Sequence, residues 1–175
     1  VCVGPGGVGK TSTSAAIAMQ GAAQGRRTVV LTIDPARRLA DALGMQEIGN
    51  VEREVDANAF TAAGLEAPHA RMTAMMLDIK TTSDQMVHRF ASDKAAAQAI
   101  FDNSYYKYFS TALAGTQEYM AVEQVRALAE TDRYDLIVLD TPPAVHALEF
   151  LDAPDRMLSA LESKAMRLFL DKKGQ

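Results

Sequence analysis

At 175 residues, with 48% apolar and 23% charged side chains, the chain can bury one core and has ordinary globular composition. A net charge of −4 gives no general electrostatic footprint for nucleic acid, and the single cysteine, Cys2, excludes an intrachain disulfide or a cysteine metal cage. No run approaches the ~18 apolar residues of a membrane helix, so a cytoplasmic protein without a transmembrane segment is expected.

Val1 to Val3 have strand character and lead into Gly4-Pro5-Gly6-Gly7-Val8-Gly9-Lys10-Thr11-Ser12. A helix-forming run to Gln24 follows, with Ala15, Ile17, Ala18, Met19 and Ala22 as its apolar residues and Gly25 as its left-handed stop. Gly-x4-Gly-Lys-Thr between a strand and a helix is the Walker A pattern of a P-loop. The glycines let backbone N–H groups turn inward around a polyphosphate, and the helix start adds its open amides and positive dipole end. Lys10 is expected to reach the β- and γ-phosphates, and the Thr11 hydroxyl to ligate the accompanying Mg²⁺. The predicted nucleotide-binding set is Gly4, Gly6, Gly7, Val8, Gly9, Lys10, Thr11 and Ser12. A glycine-rich turn that merely contains a lysine is the plain alternative.

Thr28 to Ile33 is a β-branched run too continuous for a half-exposed strand, which predicts a buried parallel strand and, with the helix before it, a βαβ unit. It empties at Asp34-Pro35, before a short helix that Gly44 can close. Residues 46–67 read as loop or short extended chain. Met72 to Ile79 predicts a third strand, and Thr82-Ser83-Asp84-Gln85 has the form of a capping box for the next helix. Three short helices to Leu113, broken at Ser92-Asp93 and Asp102-Asn103-Ser104, would form a helical insertion. The cluster Tyr105, Tyr106, Tyr108 and Phe109 reads as packing. After Gly115-Thr116 a helix carries Ala121, Val122, Val125, Leu128 and Ala129 as a core stripe, and Tyr134 to Leu139 is the last strand, delivering Asp140. Asp155 to Asp171 is expected to form an amphipathic helix. The fold class expected is α/β: one mostly parallel sheet flanked by helices in a single domain over 1–175, with the insertion at about 82–131. Because the sequence opens on Val1 inside a strand and stops after a helical run, a partial domain lacking C-terminal strands is expected.

Ligands of parallel sheets sit outside the carboxyl ends of the strands, so the P-loop, Asp34 and Asp140 should converge. Asp140 is expected to hold Mg²⁺ through its water shell, the alternative being a strand-end turn or cap aspartate. Asp34 can orient or deprotonate the water that attacks the γ-phosphate, making Asp34 and Lys10 the catalytic candidates; the alternative is an Asp-Pro turn with a solvated carboxylate.

Gly6 to Ser12, Thr32-Ile33-Asp34-Pro35-Ala36 with Leu39-Ala40-Asp41-Ala42, Gly115 to Ala121, and Asp140-Thr141-x-Pro143-x-x-His146-x-Leu148-x-Phe150-Leu151 together resemble the arsenite-pump ATPase family. That family includes the ATPase that guides tail-anchored proteins to membranes, and it lies within the deviant-Walker class of septum-site and partition ATPases. The resemblance implies ATP and Mg²⁺ as cofactors and Asp34 as the first-switch residue that activates water. It implies Asp140 to His146 as the second switch and residues 115–118 as a coupling segment. It further implies hydrolysis that opens and closes a homodimer or pseudo-dimer, coupled to an unidentified protein or membrane-transport partner. Two departures stand out. Pro5 occupies the position of the family's second lysine, and Arg37 or Arg38 is a candidate for the missing charge, a solvated helix start being the alternative. A metalloid site would need several thiolates, and only Cys2 is present. A nucleotide-switched binding module, with the helices from Thr82 to Leu113 and near Met157 and Met166 as its client surface, is the second reading. A DNA-partition ATPase is the third, without the basic patch it would need.

Overall fold

In the computed structural model, residues 5–34, 36–103, 106, 107, 110 and 116–141 are described. The expected strand at Val1 to Val3, the second switch beyond Thr141, most of the aromatic cluster and the C-terminal helix lie outside them. The elements are α1 (Lys10–Ala23), β1 (Thr28–Thr32), α2 (Arg38–Ala42), β2 (Arg53–Glu54), α3 (Ala57–Ala62), β3 (Met72–Met76), α4 (Ile79–Phe90), α5 (Lys94–Asp102), α6 (Thr116–Glu130) and β4 (Leu136–Asp140).

Among the described residues the sheet has the order β2-β3-β1-β4. β1 runs parallel to both β3 and β4, while the two-residue β2 pairs antiparallel with β3 at the edge. Every residue of β1 is buried, as its continuous β-branched and apolar run demands of a central strand. Val30 joins Ala15, Ala18, Met19 and Ala22 of α1, with Leu39, Phe60, Met72 and Val138, in one core cluster. Val29 and Leu31, which alternate to the opposite face, are fully buried as well, so helices cover both sides. The mostly parallel α/β architecture agrees with expectation.

α1 lies close on the sheet because its contact face is small: a Cβ added at Gly21 would sit 2.5 Å from Leu136 Cδ2 and 3.1 Å from Thr28 Oγ1. The helix ends in a Schellman turn. Gly25 at φ +84° lets its own N–H reach the Ala22 carbonyl and lets the Arg26 N–H reach that of Gly21. Ile17 is not part of the core stripe. It is 45% exposed, because two residues from Ala15 the helix has turned about 200°.

Four further expectations are corrected. Residues 46–67 contain β2 and α3, and α3 is nucleated by Asp56, whose carboxylate accepts from Asn58 N–H, and anchored by the fully buried Phe60. β3 stops at Met76, and α4 starts at Ile79 with Asp78 as N-cap accepting from Thr81 N–H. The capping-box reading of Thr82 to Gln85 therefore fails: Thr82 and Ser83 are buried inside α4, facing Gln124 and Met120 of α6 at 3.4 Å. On α6 the buried face is Met120, Ala121, Gln124 and Leu128; Val122 and Val125 are half-buried and Ala129 is exposed. The break at Ser92-Asp93 is as expected, with Asp93 capping α5 through Ala96 N–H. Tyr106, from the aromatic cluster, donates to Asp84 at 2.7 Å and packs on Phe101.

Candidate functional site: a cleft at the carboxyl ends of the strands

The register sets Thr32 opposite both Met76 and Asp140, so three parallel strands finish side by side. Above them a cleft of about 530 Å³ is lined by Gly7, Gly9, Lys10, Thr11, Ser12, Asp34, Arg38, Asp41, Ala42 and Thr141. It lies where a ligand of a parallel sheet is expected.

Gly7 and Gly9 are both left-handed, at φ +77° and +84°. A Cβ at either would meet open space, so what glycine supplies here is the backbone conformation and not room. Gly9 is the N-cap of α1 and brings no side chain to shield the first-turn amides, and no acidic residue stands in that turn. That leaves donors and a positive dipole end directed at the cleft, a fit for anionic oxygens. Lys10 Nζ donates to the Pro5 carbonyl at 2.8 Å, folding the lysine back over its own loop. Gly6 and Val8 belong to the exposed loop without lining the cleft, and Gly4 lies outside the described residues.

Asp140 is the last residue of β4 and only 1% exposed. It sits beneath the cleft, next to Thr141. Its carboxylate accepts from Ser14 Oγ and Thr32 Oγ1, both at 3.3 Å, and among the described residues no lysine or arginine pairs with it. A buried carboxylate facing two neutral hydroxyls at long range lacks a counter-charge. That donor set, with the Thr11 hydroxyl at the cleft wall, fits a hard divalent cation that keeps waters and takes few protein oxygens. Ser14 and Thr32 were not anticipated as partners of Asp140. The available signals were the i, i+3 spacing of Thr11 and Ser14 on one helix face and the place of Thr32 at the end of β1.

Asp34 follows β1 and is held on three sides. Its N–H donates to Thr32 Oγ1 at 3.2 Å, Oδ1 accepts from Ala36 N–H at 2.9 Å, and Oδ2 accepts from Arg38 Nη1 at 2.8 Å. The Asp34 carboxylate is thus not solvated, its side chain being 15% exposed, while Pro35 lies outside the described residues. The two arginines diverge. Arg38 lines the cleft, whereas the Arg37 guanidinium donates to the Gln46 carbonyl on the far side of Asp34.

The family model for anion-transporting ATPases matches residues 1–171 of the chain. The chain is 31% identical over 160 residues to ATPase GET3 of Malassezia globosa, a match covering 91% of the chain and 43% of that relative. With ATPase get3 of Aspergillus terreus it shares 32% identity over 158 residues, covering 90% and 43%. With ATPase ASNA1 homolog 1 of Paramecium tetraurelia it shares 29% over 162 residues, covering 90% and 44%. The chain thus spans less than half the length of these curated relatives. Among the described residues no helix is long and apolar enough to cross a membrane. With a family match that runs through the P-loop and both strand-end aspartates, the chain belongs to the anion-transporting ATPase family.

Proposed function

We propose that the cleft binds Mg-ATP and hydrolyses its terminal phosphoanhydride bond. The observation that carries this reading is the convergence of the uncapped start of α1, Lys10, Asp34 and a counter-charge-deficient Asp140 at the carboxyl ends of β1 and β4. In this reading, backbone amides of Gly6 to Ser12 wrap the β- and γ-phosphates, and Lys10 exchanges the Pro5 carbonyl for phosphate oxygens. Thr11 and Asp140 hold Mg²⁺, which when bound offsets the charge of the phosphate oxygens. Asp34 accepts a proton from water as its oxygen attacks the γ-phosphorus, the bond from that phosphorus to the bridging oxygen breaks, and ADP and phosphate leave.

The released binding energy of the γ-phosphate would drive an opening and closing cycle between two protomers, as the family resemblance implies, for a client of unassigned identity. The binding-module reading calls for an apolar client surface on the helices from Thr82 to Leu113, of which α4 and α5 are described, and near Met157 and Met166, which lie outside the described residues. The described residues of α4 and α5 expose one large apolar side chain, Phe90 at 70%, and a single exposed residue does not make a groove. The test is steady-state Mg-ATP hydrolysis by the complete protein. Asp34→Asn is expected to lower the rate on the order of a hundredfold with folding intact. An unchanged rate in the variant would remove Asp34 from catalysis.

A further inference from the structure

We propose that Arg38 is a nucleotide-triggered latch on Asp34, which rests on the reading of the cleft as a Mg-ATP site. Each cation at this cleft is engaged internally: Lys10 on the Pro5 carbonyl, Arg38 on the Asp34 carboxylate. With Oδ1 committed to Ala36 N–H and Oδ2 to Arg38, both oxygens of the water-activating carboxylate already have donors. Arg38 can move where Asp34 cannot. Its side chain is 62% exposed at the start of a five-residue helix, while Asp34 is fixed by two backbone-linked bonds and is 15% exposed. The pair is an i, i+4 contact whose arginine end is exposed to water, which keeps it weak.

A γ-phosphate in the cleft offers a guanidinium more charge and more oxygens than the carboxylate does, in the geometry an arginine fork suits. Arg38 would then leave Asp34 for the phosphate. One displacement would grip the triphosphate and free Oδ2 for water, so Asp34 is released only when there is something to hydrolyse. Arg37 is not placed to substitute, because it does not line the cleft and its guanidinium lies at the Gln46 carbonyl on the other side of Asp34. The same device supplies positive charge where Pro5 supplies none.

The latch separates two effects that simple electrostatics would merge. Binding of Mg-bound β,γ-imido-ATP and Mg-ADP to the complete protein should be measured calorimetrically for the parent, Asp34→Asn, Arg38→Ala and the double variant. Arg38→Ala is expected to cut the preference for triphosphate over diphosphate by about tenfold, the loss of one charge-assisted contact, and Arg38→Lys to recover part of it. Asp34→Asn is expected to raise triphosphate affinity several-fold by releasing Arg38, and this gain should vanish in the Arg38→Ala background. A gain that survives there would mean only relief of repulsion between Asp34 and phosphate, and would overturn the latch, as would an unchanged preference in Arg38→Ala. Those results leave the Mg-ATP site standing, whereas failure of the parent to bind either nucleotide sinks the site and the latch together.

Discussion

The two ends of the sheet are built on opposite principles. At the amino ends, polar groups are matched to one another. The Arg27 side chain donates to both oxygens of Asp135 and its backbone N–H to one of them, which lowers the Asp135 carboxyl to about 2, and the same guanidinium donates to the Asp132 carbonyl. Arg133 forks onto Glu52 at 2.6 and 2.8 Å, and Tyr134 donates to Glu52 while accepting from Thr73, tying the start of β4 to the β2–β3 edge. At the carboxyl ends the arrangement differs: the helix start has no side-chain cap, Lys10 folds onto its own loop, and among the described residues the buried Asp140 carboxylate has only hydroxyls as side-chain partners. Where a protein satisfies its polar groups internally it gains fastening, and where it leaves them unmatched it keeps valences for a ligand.

If this contrast is right, substitutions at the two ends should divide cleanly between activity and stability. The largest effect is expected from Asp140→Asn, which keeps the shape and removes the uncompensated charge. Hydrolysis should fall about a hundredfold and the Mg²⁺ requirement rise, while stability in denaturant stays level or increases by about 1 kcal/mol. A marked loss of stability would mean that Asp140 is a structural anchor.

A smaller and opposite effect is expected from Glu52→Gln. Burial pushes the Glu52 carboxyl up, but hydrogen bonds from Arg133 and Tyr134 and the Arg133 charge more than offset this, leaving it below its ordinary value of 4.5. A lowered carboxyl stabilises the fold above its unfolded value, and that stability is lost as pH falls through the folded one. The parent should therefore lose stability on acidification below about 4.5 more steeply than the variant. At neutral pH the variant should be weaker by no more than about 1 kcal/mol, with hydrolysis per folded molecule unchanged. Equal acid curves would show that the Glu52 pair does no fastening.

How much of this was legible in the sequence follows the range of the forces involved. The P-loop was legible because its demands are local, with left-handed glycines at positions 7 and 9 and a helix start immediately after. β1 was legible because a strand buried on both faces lacks the polar alternation of a half-exposed one, and here Val29, Val30 and Leu31 run unbroken between β-branched threonines. The start of α4 was not: Asp78 and Thr82 offer competing caps, and the choice falls to burial of Thr82 and Ser83 against Gln124 and Met120 of α6. α3 escaped because a six-residue helix with one apolar anchor, Phe60, has no periodicity to find. The partners of Asp140 were hidden by distance, Ser14 lying 126 residues away. Arg37 and Arg38 are chemically identical neighbours that a helix start turns apart by about 100°, and only tertiary placement tells which one meets Asp34.

The most direct test of the central claim, that the groups converging at the carboxyl ends of the strands form a Mg-ATP site, is calorimetric titration of Mg-ATP into the complete protein and its Lys10→Ala variant. The account predicts saturable binding by the parent, weakened roughly ten- to a hundredfold in Lys10→Ala, the loss of a charged donor to phosphate. Binding of equal strength in the two proteins, or none in the parent, would contradict it.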